Sequence, residues 1–175
     1  MIDQIKIYDC ENMPAVKKIE HSSFIDNRGQ LFTHYTEENE KLILRGKIFN
    51  HNKIAISNKN VLRGIHGDFK SYKLISCLYG EIYQVVVDCR SDEKTFGEWF
   101  GIVLNEEKNL SLLLPPGFGN GYLTLSTKSV YNYKLSYLGS YIDADRQFTF
   151  AWNDPNFKID WPVENPILSE RDIKP

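Results

Sequence analysis

Histidine, cysteine and methionine are scarce in this 175-residue chain, which holds four, three and two of them. No HxH occurs, so a β-barrel metal site built from several histidines and a carboxylate lacks its usual starting pair, and no metal is expected. No CxxC occurs either, and the cysteines Cys10, Cys77 and Cys89 are odd in number. That excludes a zinc knuckle and a disulfide framework, and leaves reduced, buried thiols of the kind found in the cytoplasm. GxxxxGK[ST] and GxGxxG are both missing, so neither a P-loop nor a Rossmann cofactor site is supported. No apolar run reaches the length of about 18 residues that spans a membrane. The opening MIDQIKIYDCENM carries acidic residues and no apolar core, so it is not expected to be a secretory signal. An excess of charge of one sign is missing too: 21 Lys and Arg stand against 23 Asp and Glu, a formal charge of −2. A partner held through many phosphates, such as DNA or RNA, is therefore not expected. One small anion held by a few placed Arg and Lys is compatible with that charge.

Aromatic residues, by contrast, are plentiful: 10 Phe, 10 Tyr and 3 Trp. They suit a strand-rich fold and a pocket for flat or sugar-like ligands. Short β-rich runs succeed one another through the middle of the chain: KLISCLYG, EIYQVVVDCR, EWFGIVLN, LSLLLP, YLTLST, SVYNYKLSY and FTFAW. Gly, Asp and Asn clusters separate them at the spacing of sandwiches and barrels. Residues 35–44 read as a short helix or a charged turn. The last stretch, 153–175, holds four of the seven prolines and reads as coil wrapping the barrel. The expectation is all-β: one domain over 1–175, an antiparallel barrel or jelly roll with a few short peripheral helices.

Three features bear on chemistry. His66 lies between Arg63 and Lys73, where a base beside cations would sit. Arg63 and His66 differ by an odd number, so a regular strand would point them to opposite faces; Gly64 between them permits a bulge that changes this. The Gly- and Pro-rich segment LLLPPGFGNGYLTLS, 112–126, reads as a tight turn that can bring backbone N–H groups to a ligand. Tyr131, Tyr133 and Tyr137 share one strand face, with Tyr141 beyond them, and a pocket phenol can serve as a general acid. Each feature alone is more often packing or surface. The residues by themselves stop at a β-rich domain with a His/Tyr/Arg/Lys site.

Read in order, longer segments carry a resemblance. They are FIDNRGQLF (24–32), FNHNKIAIS (49–57), VLRGIH (61–66), YKLISCLYGEIYQVVVDCR (72–90), TFGEWFGIVLNEEKN (95–109), LPPGFGNGYLTLS (114–126), YKLSY (133–137), WNDPNFKIDWP (152–162) and ILSERD (167–172). Together, over roughly residues 20–173, the chain resembles the dTDP-4-dehydrorhamnose 3,5-epimerase family. The resemblance implies a cupin-type jelly roll, a homodimer that exchanges edge strands, no metal and no organic cofactor. It also implies a nucleotide-diphosphate-linked 4-keto sugar as substrate, epimerised beside the ketone. His66 would be the base, Asp172 its carboxylate partner, Tyr133 the acid, and Lys73 the cation at the enolate oxygen. Arg63 and Arg28 would clamp the pyrophosphate, Arg28 from the neighbouring subunit. Asn50, Asn52 and Asn120 would complete the binding shell.

Several positions depart from the family pattern. His66-Gly67-Asp68 stands where the family usually has His-Tyr-Gln, Asn120 where it has a histidine, Asn50-His51-Asn52 at its Gln-x-Asn pair, and Thr33 where a glutamate is frequent. The proposed catalytic residues are kept while the binding shell changes, which suggests a shifted substrate. A small Gly67 would make room for a bulkier sugar, so a GDP-4-keto-heptose of a capsule or lipopolysaccharide pathway stands beside dTDP-4-keto-6-deoxyglucose. Two other readings stay open: a 3,4-ketoisomerase on a similar nucleotide sugar, and a sugar-nucleotide-binding module without turnover.

Overall fold

The computed structural model describes residues 4–173. Its strands are β1 (Ile5–Cys10), β2 (Met13–His21), β3 (Ser23–Asp26), β4 (Gly29–Phe32), β5 (His51–Asn58), β6 (Leu62–Gly67) and β7 (Tyr72–Tyr79), followed by β8 (Glu81–Asp88), β9 (Trp99–Asn105), β10 (Leu110–Leu114), β11 (Phe118–Thr124), β12 (Lys128–Ser136) and β13 (Phe148–Thr149). Two short helices, α1 (Glu37–Ile43) and α2 (Glu170–Ile173), lie outside the sheets. A six-stranded sheet runs in the order β1-β2-β10-β7-β12-β5, and a five-stranded sheet in the order β13-β6-β11-β8-β9. The pairings within both are antiparallel, and β3 and β4 form a separate hairpin. This is the cupin-type antiparallel jelly roll.

Alternation along β8 explains how the layers stack. Ile82 and Val86 point into the core between the sheets, among Leu112, Leu114 and Phe118. Val85 and Val87 point the other way, and they too are fully buried. They meet Phe157 and Trp161 of the C-terminal coil, which covers the outer face of the five-stranded sheet. A strand covered on both faces reads as a nearly continuous apolar run, as EIYQVVVD does. Trp161 anchors the coil further by donating its ring N–H to the Trp152 carbonyl at 2.8 Å.

The helix at 37–43 forms for local reasons. Thr36 is extended and caps it, its hydroxyl accepting from the Asn39 N–H at 3.0 Å. Glu37, Glu38 and Glu40 occupy the first turn, where the helix dipole favours negative charge.

Two expectations need correction. The Gly-rich segment after Pro116 is not only a turn: strand β11 begins at Phe118 and runs through Gly119 and Gly121. These glycines are needed because β6 packs so close. A Cβ on Gly119 would stand 2.6 Å from Ile65 Cγ2, and one on Gly121 2.9 Å from the Arg63 carbonyl oxygen. The FTFAW run narrows to the two-residue β13, although Phe150 still exchanges backbone hydrogen bonds with Ile65.

Candidate active site

A cavity of about 280 Å³ opens between the sheets, lined from β5, β6, β7, β11 and β12, from the loop around Tyr141–Gln147, and from the α2 region. That size suits a sugar ring better than a whole nucleotide sugar. His66, Asp172, Tyr133, Lys73, Arg63 and Asn120 all line it.

A bulge brings Arg63 and His66 to the same side. Asn120 pairs with His66 and Tyr122 with Arg63, so one residue of β11 (Gly121) opposes two of β6 (Gly64 and Ile65). The extra residue cancels the odd spacing and turns both side chains into the cavity. Gly64 adopts φ +127°, where a side chain would be strained and its Cβ would collide with Gly121 Cα.

His66 Nε2 stands 2.7 Å from Asp172 Oδ1. Asp172 is held independently. Its Oδ1 also accepts from the Gly64 N–H at 3.3 Å, and its Oδ2 from the Ser169 hydroxyl at 2.7 Å. Burial pushes the Asp172 carboxyl up, but these contacts with His66, Ser169 and Gly64 outweigh it, and the net shift is down. An anchored carboxylate beside an imidazole fixes the orientation of the ring.

Lys73 is almost fully buried and forms no ion pair among the described residues. Its ammonium makes long contacts of 3.4 Å with the His66 carbonyl and with Asn120 Oδ1. Burial lowers its pKa to about 8, with Asp68 opposing the shift. Asn120 turns its amide N–H to the Tyr131 hydroxyl at 3.1 Å. Tyr131 stacks on Tyr122 with centroids 4.1 Å apart and lies 5.7 Å from Tyr133. Arg63 Nε donates to Ser57 Oγ at 3.1 Å, and that oxygen also meets the Tyr122 hydroxyl at 3.1 Å.

Three expected binding residues lie outside this cavity. Asn52 Oδ1 accepts from Asn132 at 2.6 Å and ties β5 to β12, and Asn50, just before β5, donates to the carbonyl of Tyr137, just after β12, at 2.9 Å. On β5 the side chains that reach the cavity are the odd-numbered Lys53 and Ala55. Arg28 sits at the exposed tip of the β3–β4 hairpin, its guanidinium forked onto Asp26. Gly67 does not enlarge the cavity. The space beside it is filled by the Phe148 ring, and a Cβ there would also come within 2.7 Å of the Phe118 carbonyl oxygen. Tyr137 turns away to His51, while Lys53, Tyr122, Gln147 and Arg171, which the sequence did not single out, face inward. Among the described residues, no three His, Cys, Asp or Glu side chains converge as a metal-ligand set. None of the described helices is long and apolar enough to cross a membrane.

A cupin barrel whose cavity holds a carboxylate-paired imidazole, one buried lysine and a wall of phenols is, by its relatives, a sugar-nucleotide epimerase, an isomerase. The family model for dTDP-4-dehydrorhamnose 3,5-epimerase matches residues 11–175. The chain belongs to this family. A dTDP-4-dehydrorhamnose 3,5-epimerase of Salmonella typhimurium is 36% identical, over 91% of this chain and 88% of the relative. Among solved structures, the dTDP-4-dehydrorhamnose 3,5-epimerase of Bacillus anthracis, with TDP and PPi bound, superposes with a TM-score of 0.87 at 31% identity and covers 97% of each chain. A 3'-monoepimerase of Streptomyces bikiniensis in complex with dTDP-quinovose gives 0.83 at 27% identity, over 94% of this chain and 84% of that one.

Proposed function

We propose that this protein epimerises a nucleotide-diphosphate-linked 4-keto sugar at carbons next to the ketone, without a metal or organic cofactor. The carrying observation is that His66 with Asp172, Tyr133 and Lys73 face one cavity although they lie far apart in the chain. A proton beside a carbonyl is acidic because its removal leaves an enolate. His66 takes that proton, and Asp172 stabilises the imidazolium that forms. Lys73 supplies preorganised positive charge for the enolate oxygen. Tyr133 returns a proton to the carbon from the other side, which inverts it. His66 then releases its proton to water and Tyr133 regains one, so the balance closes.

Arg63 and, from a second subunit, Arg28 serve the pyrophosphate. The hairpin that bears Arg28 exposes Phe24, Ile25 and Leu31, apolar surface suited to the interface of a strand-exchanging homodimer. Asn120 completes the sugar pocket, and Asn50 and Asn52 brace the β5 wall. A dTDP-4-keto-6-deoxyhexose is the favoured substrate, because the relatives named above are dTDP-sugar enzymes and the Gly67 space is closed by Phe148. The free thiols fit a cytoplasmic setting. Incubation in D₂O with dTDP-4-keto-6-deoxyglucose and, separately, a GDP-4-keto-heptose tests the reading by mass and NMR. Deuterium at C3, C5 or both of the dTDP sugar is the expected result. Exchange only into the GDP sugar would change the substrate, a moved ketone would change the reaction, and binding without exchange would remove turnover.

A further inference from the structure

Lys53 enters the cavity from β5, directly opposite Tyr133 of β12. Opposed residues on antiparallel strands carry their Cβ atoms about 5 Å apart, so the sheet itself brings the ammonium beside the phenol. Nζ donates to the Tyr141 hydroxyl at 2.9 Å and lies 4.3 Å from the centre of the Tyr141 ring. No Asp or Glu forms an ion pair with it among the described residues. A half-buried ammonium tethered by one phenol and facing a second, with Asp143 near enough to be felt but not paired, keeps its charge for an anion that forms transiently.

We propose that Lys53 is a positioning residue for the reaction: its ammonium, held in place by Tyr141, stabilises the phenolate that Tyr133 becomes on giving up its proton. This rests on Tyr133 as the acid. In that step the Tyr133 O–H bond breaks and a C–H bond forms, using the electron pair of the enolate. Negative charge then passes from the enolate oxygen beside Lys73 to the phenolate beside Lys53. Each end of the transfer thus has its own cation. Burial pushes the Tyr133 phenol up, and the Lys53 charge pulls it part of the way back.

The test uses protein labelled with 3-fluorotyrosine, whose phenols ionise at lower pH than tyrosine, with the Tyr133 resonance identified by its loss in Tyr133→Phe. In Lys53→Met the ¹⁹F titration midpoint of residue 133 should rise by about one pH unit. Lys53→Arg should hold it near the starting value. Net epimerisation of dTDP-4-keto-6-deoxyglucose should fall about three- to tenfold in Lys53→Met, while hydrogen washout from the substrate in D₂O continues. Tyr141→Phe keeps the ring but loses the tether, so it should move the midpoint the same way by less; it also serves if Lys53→Met does not fold. A midpoint unmoved in both variants would overturn the proposal. A shifted midpoint with an unimpaired Tyr133→Phe enzyme would uphold the Lys53–Tyr133 coupling and remove the acid role of Tyr133 instead.

Discussion

His66 and His34 are both enclosed histidines of one barrel, and their surroundings differ in kind. His66 touches a carboxylate and borders the cavity. His34 touches the Ser76 hydroxyl at 2.9 Å, which continues to Ser111 at 2.8 Å and on to His21 at 3.0 Å. The two rings of this closed chain stack with centroids 5.2 Å apart. Burial lowers the His34 pKa to about 4, and the nearby His21 and Lys134 push the same way. An imidazole among hydroxyls, a second imidazole and an ammonium is kept neutral. The His66 imidazole instead meets an anchored carboxylate at the edge of the cavity. The counter-charge and the open cavity, more than burial, separate the proposed base from a structural histidine.

The contrast breaks most sharply under paired substitution. His66→Asn should lower deuterium incorporation into the substrate by about 10³-fold, within the range for loss of a general base. His34→Asn should leave that rate within about threefold and lower stability instead. A collapse of exchange in both variants would erase the distinction.

Acid should act on the sealed region first. The folded His34 value lies below the unfolded value of about 6.5, so between the two the unfolded chain binds more protons. Stability from the neutral ring is present above pH 6.5 and is lost as pH falls towards 4, by up to about 3 kcal/mol. Denaturant titrations between pH 7 and 4 should show this slope, flattened in His34→Asn. An equal slope in both proteins would assign the acid sensitivity elsewhere.

Alkali should act on the cavity. Lys73 loses its charge above about pH 8, so the rate of epimerisation should fall through that value. Lys73→Arg keeps its charge, and the residual activity of that variant should persist to higher pH. An unchanged alkaline limb would remove Lys73 as the group that titrates.

Legibility in the sequence follows the same division. β7 to β10 and β12 were readable because their apolar residues alternate or run together between turn signals. β1 and β2 were not. The buried residues of β2 are Met13, Val16, Ile19 and His21, a spacing without period two, and lysines lie between them. Parity placed Tyr131 and Tyr133 on one face, but it could not foresee the bulge at Gly64 that turns Arg63 inward with His66. It also could have found Lys53, two residues before the inward Ala55, had the register of β5 been known. The distant Asp172 came into view through resemblance alone, since nothing local in ILSERD requires it to meet residue 66. The Phe148 ring beside Gly67 is a tertiary fact with no local signature.

One measurement bears most directly on the claim that two groups handle the proton from opposite sides. Wild-type, His66→Asn and Tyr133→Phe proteins are each mixed with dTDP-4-keto-6-deoxyglucose in D₂O, and exchange and inversion are followed together by NMR. The account predicts that His66→Asn loses both, while Tyr133→Phe still removes the substrate hydrogen but returns deuterium with little inversion. Undiminished exchange in His66→Asn, or full inversion in Tyr133→Phe, would contradict it.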